Sequence, residues 1–193
     1  MTPIEILAQV SPLLQKANIQ FWVGGSVASS VWSEPRYTND IDVAVMASSL
    51  NEELLRRELL PKFYIGPTEI SEAFADRGEY PSFQILDTEE AFKFDMFVVR
   101  DSEYSHEELE RAKWVEIQPG VKAPIASPED IVLHKIRWFV SGGKVSDRQW
   151  NDLVKVIENQ LGSLDNQYMI RWARHFGIEE LLQDAFDQAF GAD

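Results

Sequence analysis

Hydrophobic positions along the chain change period near residue 126. Before it, short bulky apolar runs alternate with stretches of helical spacing; after it, helical spacing continues to the end. A helix is expected over 2–17, with Ile6, Leu7, Val10, Leu13 and Leu14 as its apolar stripe. Thr2, Pro3 and Glu5 supply an N-cap, a first-turn proline and a capping box, and Asn18 is its stop. Strands are expected over 21–23, 40–45, 63–65, 82–86 and 92–99, with helices over 27–32 and 50–60. In the second helix Leu54, Leu55 and Leu59 point inward before Pro61 ends it. Residues 66–81 are polar and turn-rich, with a helical turn around 70–74. An acidic, solvated helix over 103–112 leads to a strand pair, 113–117 and 121–125, around Gln118-Pro119-Gly120.

Ser127-Pro128-Glu129-Asp130 is a helix start, and Gly142-Gly143 stops that helix. Further helices are expected from Ser146, over 168–176 and over 178–190, with Trp172, Phe176, Leu181, Leu182 and Phe186 as core. The expected fold class is therefore α+β: a mixed sheet flanked by helices over 1–126, then a helical subdomain over 127–193.

Composition narrows the chemistry. With 193 residues, 45% of them hydrophobic, the chain is long enough to bury a core. It has no cysteine, which excludes disulfides, thiolate metal sites and a cysteine nucleophile. His106, His134 and His175 lack ligand spacing and are expected to be structural or surface residues. No segment reaches the ~18 apolar residues of a membrane span, so the expected location is the cytoplasm, with no membrane partner. A net charge of −14 argues against a broad nucleic-acid surface.

Candidate chemistry lies in residues 21–45. The strand Phe21-Trp22-Val23 runs into Gly24-Gly25-Ser26 and then into a helix. Glycines at a strand-to-helix turn let a ligand approach the backbone, and the helix start offers unpaired N–H groups suited to phosphate. Ser26 adds a hydroxyl. On the next strand Asp40 and Asp42 share one face while Ile41 and Val43 share the other. Two carboxylates ~7 Å apart on one face repel each other unless a cation sits between them, and such hard oxygens suit Mg²⁺ carried by phosphates. An ordinary tight turn and a solvated strand edge are the plain alternatives. Asp95 is a lone carboxylate in the apolar strand 92–99; its plain alternatives are a salt bridge to Lys93 and an edge-strand charge.

Gly-Gly-Ser, a spacer and Asp-x-Asp on an apolar strand resemble the signature of the nucleotidyltransferase superfamily related to DNA polymerase beta. The stretch from Arg36 to Asp42 is similar to that of its CCA-adding branch. The C-terminal pattern resembles that of AbiEii-like bacterial nucleotidyltransferases: Ser127-Pro128-Glu129-Asp130, then Leu133-His134-Lys135-Ile136-Arg137-Trp138, then Asp147-Arg148 and Asp152.

The resemblance implies a nucleotidyltransferase-type sheet and transfer of a nucleoside monophosphate from a nucleoside triphosphate to an acceptor hydroxyl. It implies Asp40, Asp42 and Asp95 as catalytic, metal-binding acids with Mg²⁺ or Mn²⁺ as cofactor. Gly24, Gly25, Ser26, Arg36, Lys135 and Arg148 are implied as phosphate and nucleotide contacts. The implied acceptor is a small molecule, a tRNA end or a protein. A silent module of this fold that binds a protein partner, as in a toxin–antitoxin pair, or that senses nucleotide, is the alternative.

Overall fold

The computed structural model describes residues 2–35, 37–87, 89 and 92–191. The chain divides into two compact units: Met1–Val27 with Tyr37–Ala126, and Ala28–Arg36 with Ser127–Asp193. The second thus takes in residues 28–36, which the sequence pattern groups with the first.

The first unit opens with α1 (Pro3–Lys16), whose capping box is formed by Thr2 and Glu5. Its buried face is Ile6, Leu7, Val10 and Leu14, in line with the sequence stripe. A six-stranded mixed sheet follows, built from β1 (Phe21–Val23), β2 (Asp40–Met46), β3 (Ser82–Asp87), β4 (Phe92–Val99), β5 (Lys113–Gln118) and β6 (Val121–Ile125). Its order is β3-β4-β2-β1-β6-β5. Strand β2 pairs antiparallel with β1 and parallel with β4, and β1 pairs parallel with β6. Helices α2 (Gly25–Trp32), α3 (Glu52–Leu59), α4 (Glu69–Ala75) and α5 (Glu103–Arg111) lie between the strands in sequence.

Two local expectations are corrected. Residues 63–65 do not form a strand: a single antiparallel bridge joins Tyr64 to Leu86, while Phe63 and Ile65 turn into the core. The acidic helix α5 is not simply a solvated face, because Tyr104, Ser105 and Glu108 are buried.

Alternation along the central strands sets the layers. Ile41, Val43 and Val45 of β2 and Phe94, Met96 and Val98 of β4 are buried, while the residues between them stand half-buried on the opposite face. Phe94 makes edge-to-face contacts with Phe63 and Phe92, both at 6.0 Å.

The second unit is helical, with α6 (Pro128–Ser141), α7 (Asp147–Asn159), α8 (Asn166–Phe176) and α9 (Glu179–Phe190). Ser127 caps α6 and also donates to the fully buried Asp130 at 2.6 Å, whose other oxygen accepts from Tyr168 at 2.5 Å. That network ties α8 to the start of α6 and satisfies a carboxylate that is costly to bury without partners. No helix among the described residues is long and apolar enough to cross a membrane.

Phe94→Ala removes a fully buried ring from the central sheet and is expected to cost about 3–5 kcal/mol, read as a lower midpoint in urea denaturation.

Candidate active site

The register of β2 on β4 sets Asp40 beside Lys93 and Asp42 beside Asp95. The antiparallel pairing of β3 with β4 continues the row, with Gln84 beside Asp95. At its other end the Gly24 amide donates to the Asp42 carbonyl at 2.9 Å. Gln84, Asp95, Asp42 and Gly24 therefore lie side by side across the sheet, with Asp40 and Lys93 one step along the same face. The sheet brings the three predicted acids together on one face. Because β4 is an interior strand, the edge-strand explanation of Asp95 does not apply.

The turn at the end of the row has two different glycines. A Cβ on Gly24 would meet nothing within 4 Å, so the space beside it is open. Gly25 has a φ of +55°, and a Cβ there would stand 1.7 Å from Asp42 Oδ2. Only glycine suits that position: the backbone is left-handed, and the carboxylate of Asp42 already fills the space a side chain would take. The sequence explains both glycines by ligand approach, whereas Gly25 is needed to seat Asp42. Ser26 is half-buried in the first turn of α2.

Each acid is held. Thr38 donates to Asp40 Oδ1 at 2.5 Å. Asp95 accepts at both oxygens, from Gln84 Nε2 at 3.0 Å and from Lys93 Nζ at 2.7 Å. The ion pair that the sequence offers as an alternative reason for Asp95 is therefore formed. The hydrogen bond to Asp95 holds the Lys93 ammonium above its ordinary 10.5; burial pulls the other way, and the charges of Asp95, Asp40 and Asp42 add to the rise. Thr38 and Gln84 were missed by sequence reasoning. Gln84 carried a usable signal, since it alternates with the apolar Phe83 and Ile85 and so must face the acids.

Among the described residues no three His, Cys, Asp or Glu side chains are already gathered to hold a metal ion. Asp40 and Asp42 nevertheless offer hard carboxylate oxygens, a donor set that fits Mg²⁺ or Mn²⁺ when substrate phosphates complete the shell.

In the second unit, Lys135 is buried on α6 and donates to Asp152 Oδ2 at 3.1 Å and Gln149 Oε1 at 3.0 Å, both on α7. Arg148 is exposed on α7. Asp152, four residues along α7 from Arg148, pairs with Lys135. Arg36 lies outside the described residues.

The profile of the family described as "Nucleotidyl transferase AbiEii toxin, Type IV TA system" matches residues 13–191. Among solved structures, the chain is similar to the antibiotic-resistance factor ANT(2'')-Ia, with 10% identity, a TM-score of 0.62 and coverage of 94% of this chain and 96% of that one. It is similar to the lincosamide antibiotic adenylyltransferase LnuA at 13% identity and a TM-score of 0.54, covering 80% of this chain and 96% of that one. A third is an antigenic nucleotidyltransferase-like protein from Paracoccidioides brasiliensis, at 17% identity and a TM-score of 0.53, covering 94% and 90%. No curated protein matches the sequence. At these identities the structural likenesses establish the fold.

The two glycines separate seating from binding. Gly25→Ala is expected to lower thermal stability by displacing Asp42, while Gly24→Ala leaves the melting temperature within a degree or two and any effect falls on ligand affinity. The Lys93–Asp95 pair sets a second expectation. A lysine held above 10.5 contributes stability fully below that pH and loses it as pH rises through its folded value. The melting temperature of the native chain should therefore fall more steeply above pH 10.5 than that of Lys93→Met, as followed by circular dichroism.

Proposed function

The chain belongs to the AbiEii nucleotidyltransferase family, and from that premise we propose that it moves a nucleoside monophosphate from a nucleoside triphosphate to an acceptor hydroxyl. The observation that carries this reading is the in-register row that sets Asp42 beside Asp95, with Asp40 on the same face and the open turn at Gly24 at its end. Acids gathered on one sheet face next to a helix start are costly to the fold alone and suited to a phosphate-borne cation.

In this reading Asp40 and Asp42 would hold Mg²⁺ or Mn²⁺ brought in with the triphosphate, and the ion would supply neutralising charge for the phosphates and the leaving pyrophosphate. Gly24, Gly25 and Ser26 take the β- and γ-phosphates, the glycine backbone at close range and the serine by its hydroxyl. Asp95 would complete the metal site and receives the proton of the acceptor hydroxyl, whose oxygen forms a bond to the α-phosphorus as the bond to the bridging oxygen breaks and pyrophosphate leaves. Arg36, Lys135 and Arg148 are the cations that would offset phosphate charge. Most of the rate then comes from positioning and electrostatics. The acceptor hydroxyl belongs to a small molecule, a tRNA end or a protein. Family membership also supports a role as the toxin half of a toxin–antitoxin pair.

Calorimetric titration of ATP, GTP, CTP and UTP, with and without Mg²⁺, tests the site. Binding that needs Mg²⁺ and is lost in Asp40→Ala/Asp42→Ala is expected, and it identifies the base. In a radiolabel assay against one acceptor of each class, Asp42→Asn is expected to lower transfer by roughly 100- to 1000-fold with the fold intact. A folded native chain that binds none of the four nucleotides would sink the reading.

A further inference from the structure

Lys93 stands on the acidic face, and the transfer reading leaves it without a role. The register places it beside Asp40, and its ammonium lies 2.7 Å from Asp95 Oδ2. With Gln84 on Oδ1, both Asp95 oxygens are engaged by donors of this chain. A cation that binds Asp95 through Oδ2 therefore meets Lys93 first. The two partners differ in exposure: the Lys93 side chain is 38% exposed and that of Asp95 16%. The carboxylate is fixed by its strand, while the ammonium sits on a flexible four-carbon stem with water beside it. Lys93 can leave without carrying the acid with it.

We propose that Lys93 is a placeholder cation, neutralising Asp95 while no divalent ion is bound and yielding that carboxylate when a metal–nucleotide complex enters. This rests on the reading of Asp40, Asp42 and Asp95 as the metal-binding acids. The consequence is a site with low affinity for the bare ion. An unoccupied set of three carboxylates would bind divalent cations indiscriminately and would repel itself when empty. With one positive charge already seated, the site fills only when the incoming ion brings phosphate ligands and their binding energy. Lys93 is in this sense a positioning residue, acting through Asp95.

The test uses the full chain freed of metal with EDTA, titrated with Mn²⁺ alone and followed by the electron paramagnetic resonance of the free ion. Lys93→Met keeps the apolar stem and removes the charge; Lys93→Arg keeps the charge. Lys93→Met is expected to bind Mn²⁺ roughly tenfold more tightly than the native chain, and to melt lower in EDTA with recovery on adding the ion. Lys93→Arg is expected to behave like the native chain. Unchanged or weaker Mn²⁺ binding by folded Lys93→Met overturns the proposal. If Lys93→Met does not fold, the ¹⁵Nζ resonance of Lys93 in the native chain decides, assigned by its loss in Lys93→Arg. Movement on addition of Mg²⁺ with a non-hydrolysable nucleoside triphosphate supports displacement, and binding of that complex that leaves the resonance in place overturns it.

Nucleotide transfer is scored separately. Turnover by the native chain with Mn²⁺ affinity unchanged in Lys93→Met sinks the placeholder alone. Tighter Mn²⁺ binding with no turnover by any variant sinks the transfer reading alone.

Discussion

Everything at the candidate site depends on one pairing, the parallel register of β2 on β4. It runs unbroken from Asp40 opposite Lys93 to Met46 opposite Val99. Each step alternates a buried residue with a half-buried one up to Val45, so a slip of β2 by one place would turn Asp40 and Asp42 into the core and bring Ile41 and Val43 out. The forces are unequal. Setting two carboxylates about 5 Å apart costs about 3 kcal/mol at an effective dielectric of 20. The apolar side chains on the other face, Ile41, Val43, Val45, Phe94, Met96 and Val98, each gain about 1.5–3 kcal/mol by burial. The core therefore dictates the register, and the acids are brought together at its expense.

That expense is moderated by neighbours rather than avoided. Thr38 donates to Asp40, Gln84 and Lys93 to Asp95, and Gly25 leaves space for Asp42. Each of these residues is ordinary in isolation. Together they give the acids donors and room on one face, which offsets part of the cost of gathering like charges there. The left-handed backbone at Gly25 belongs to the same arrangement: it lets the chain leave β1 and begin α2 directly over the carboxylate.

Much of this was legible in the sequence, and what was not shares a cause. Alternation within β2 and β4 showed which face carried Asp40, Asp42 and Asp95, since a period of two is a local property. The caps at Thr2 and Ser127 were equally local. Which strand lies beside which is set by packing across some fifty residues of chain, so the contact of Asp42 with Asp95 had no local signature. The same holds for Asp152 as the partner of Lys135 and for Asp42 as the reason for Gly25. Residues 63–65 have strand-like composition, yet only Tyr64 finds a bridge partner, because the flanking Phe63 and Ile65 are drawn into the core. The burial of Tyr104 and Glu108 on an acidic helix is likewise a tertiary outcome.

The two lysine–aspartate pairs show how similar chemistry serves different ends. Lys135 and Asp152 are both largely buried, their side chains 6% and 12% exposed, and Gln149 fills a further position on the ammonium. Removing one partner of such a pair leaves an uncompensated buried charge, at about 3–5 kcal/mol, so the contact between α6 and α7 is held in one arrangement. Lys93 and Asp95 are closer, at 2.7 Å, but the lysine is half in water. Its ammonium exchanges one set of partners for another at little cost in solvation, and such exposed pairs contribute on the order of 1 kcal/mol or less. Distance alone would rank the second pair as the stronger. Burial reverses the order: the longer, dry pair fixes a lysine in place, and the shorter, wet one leaves its lysine able to move.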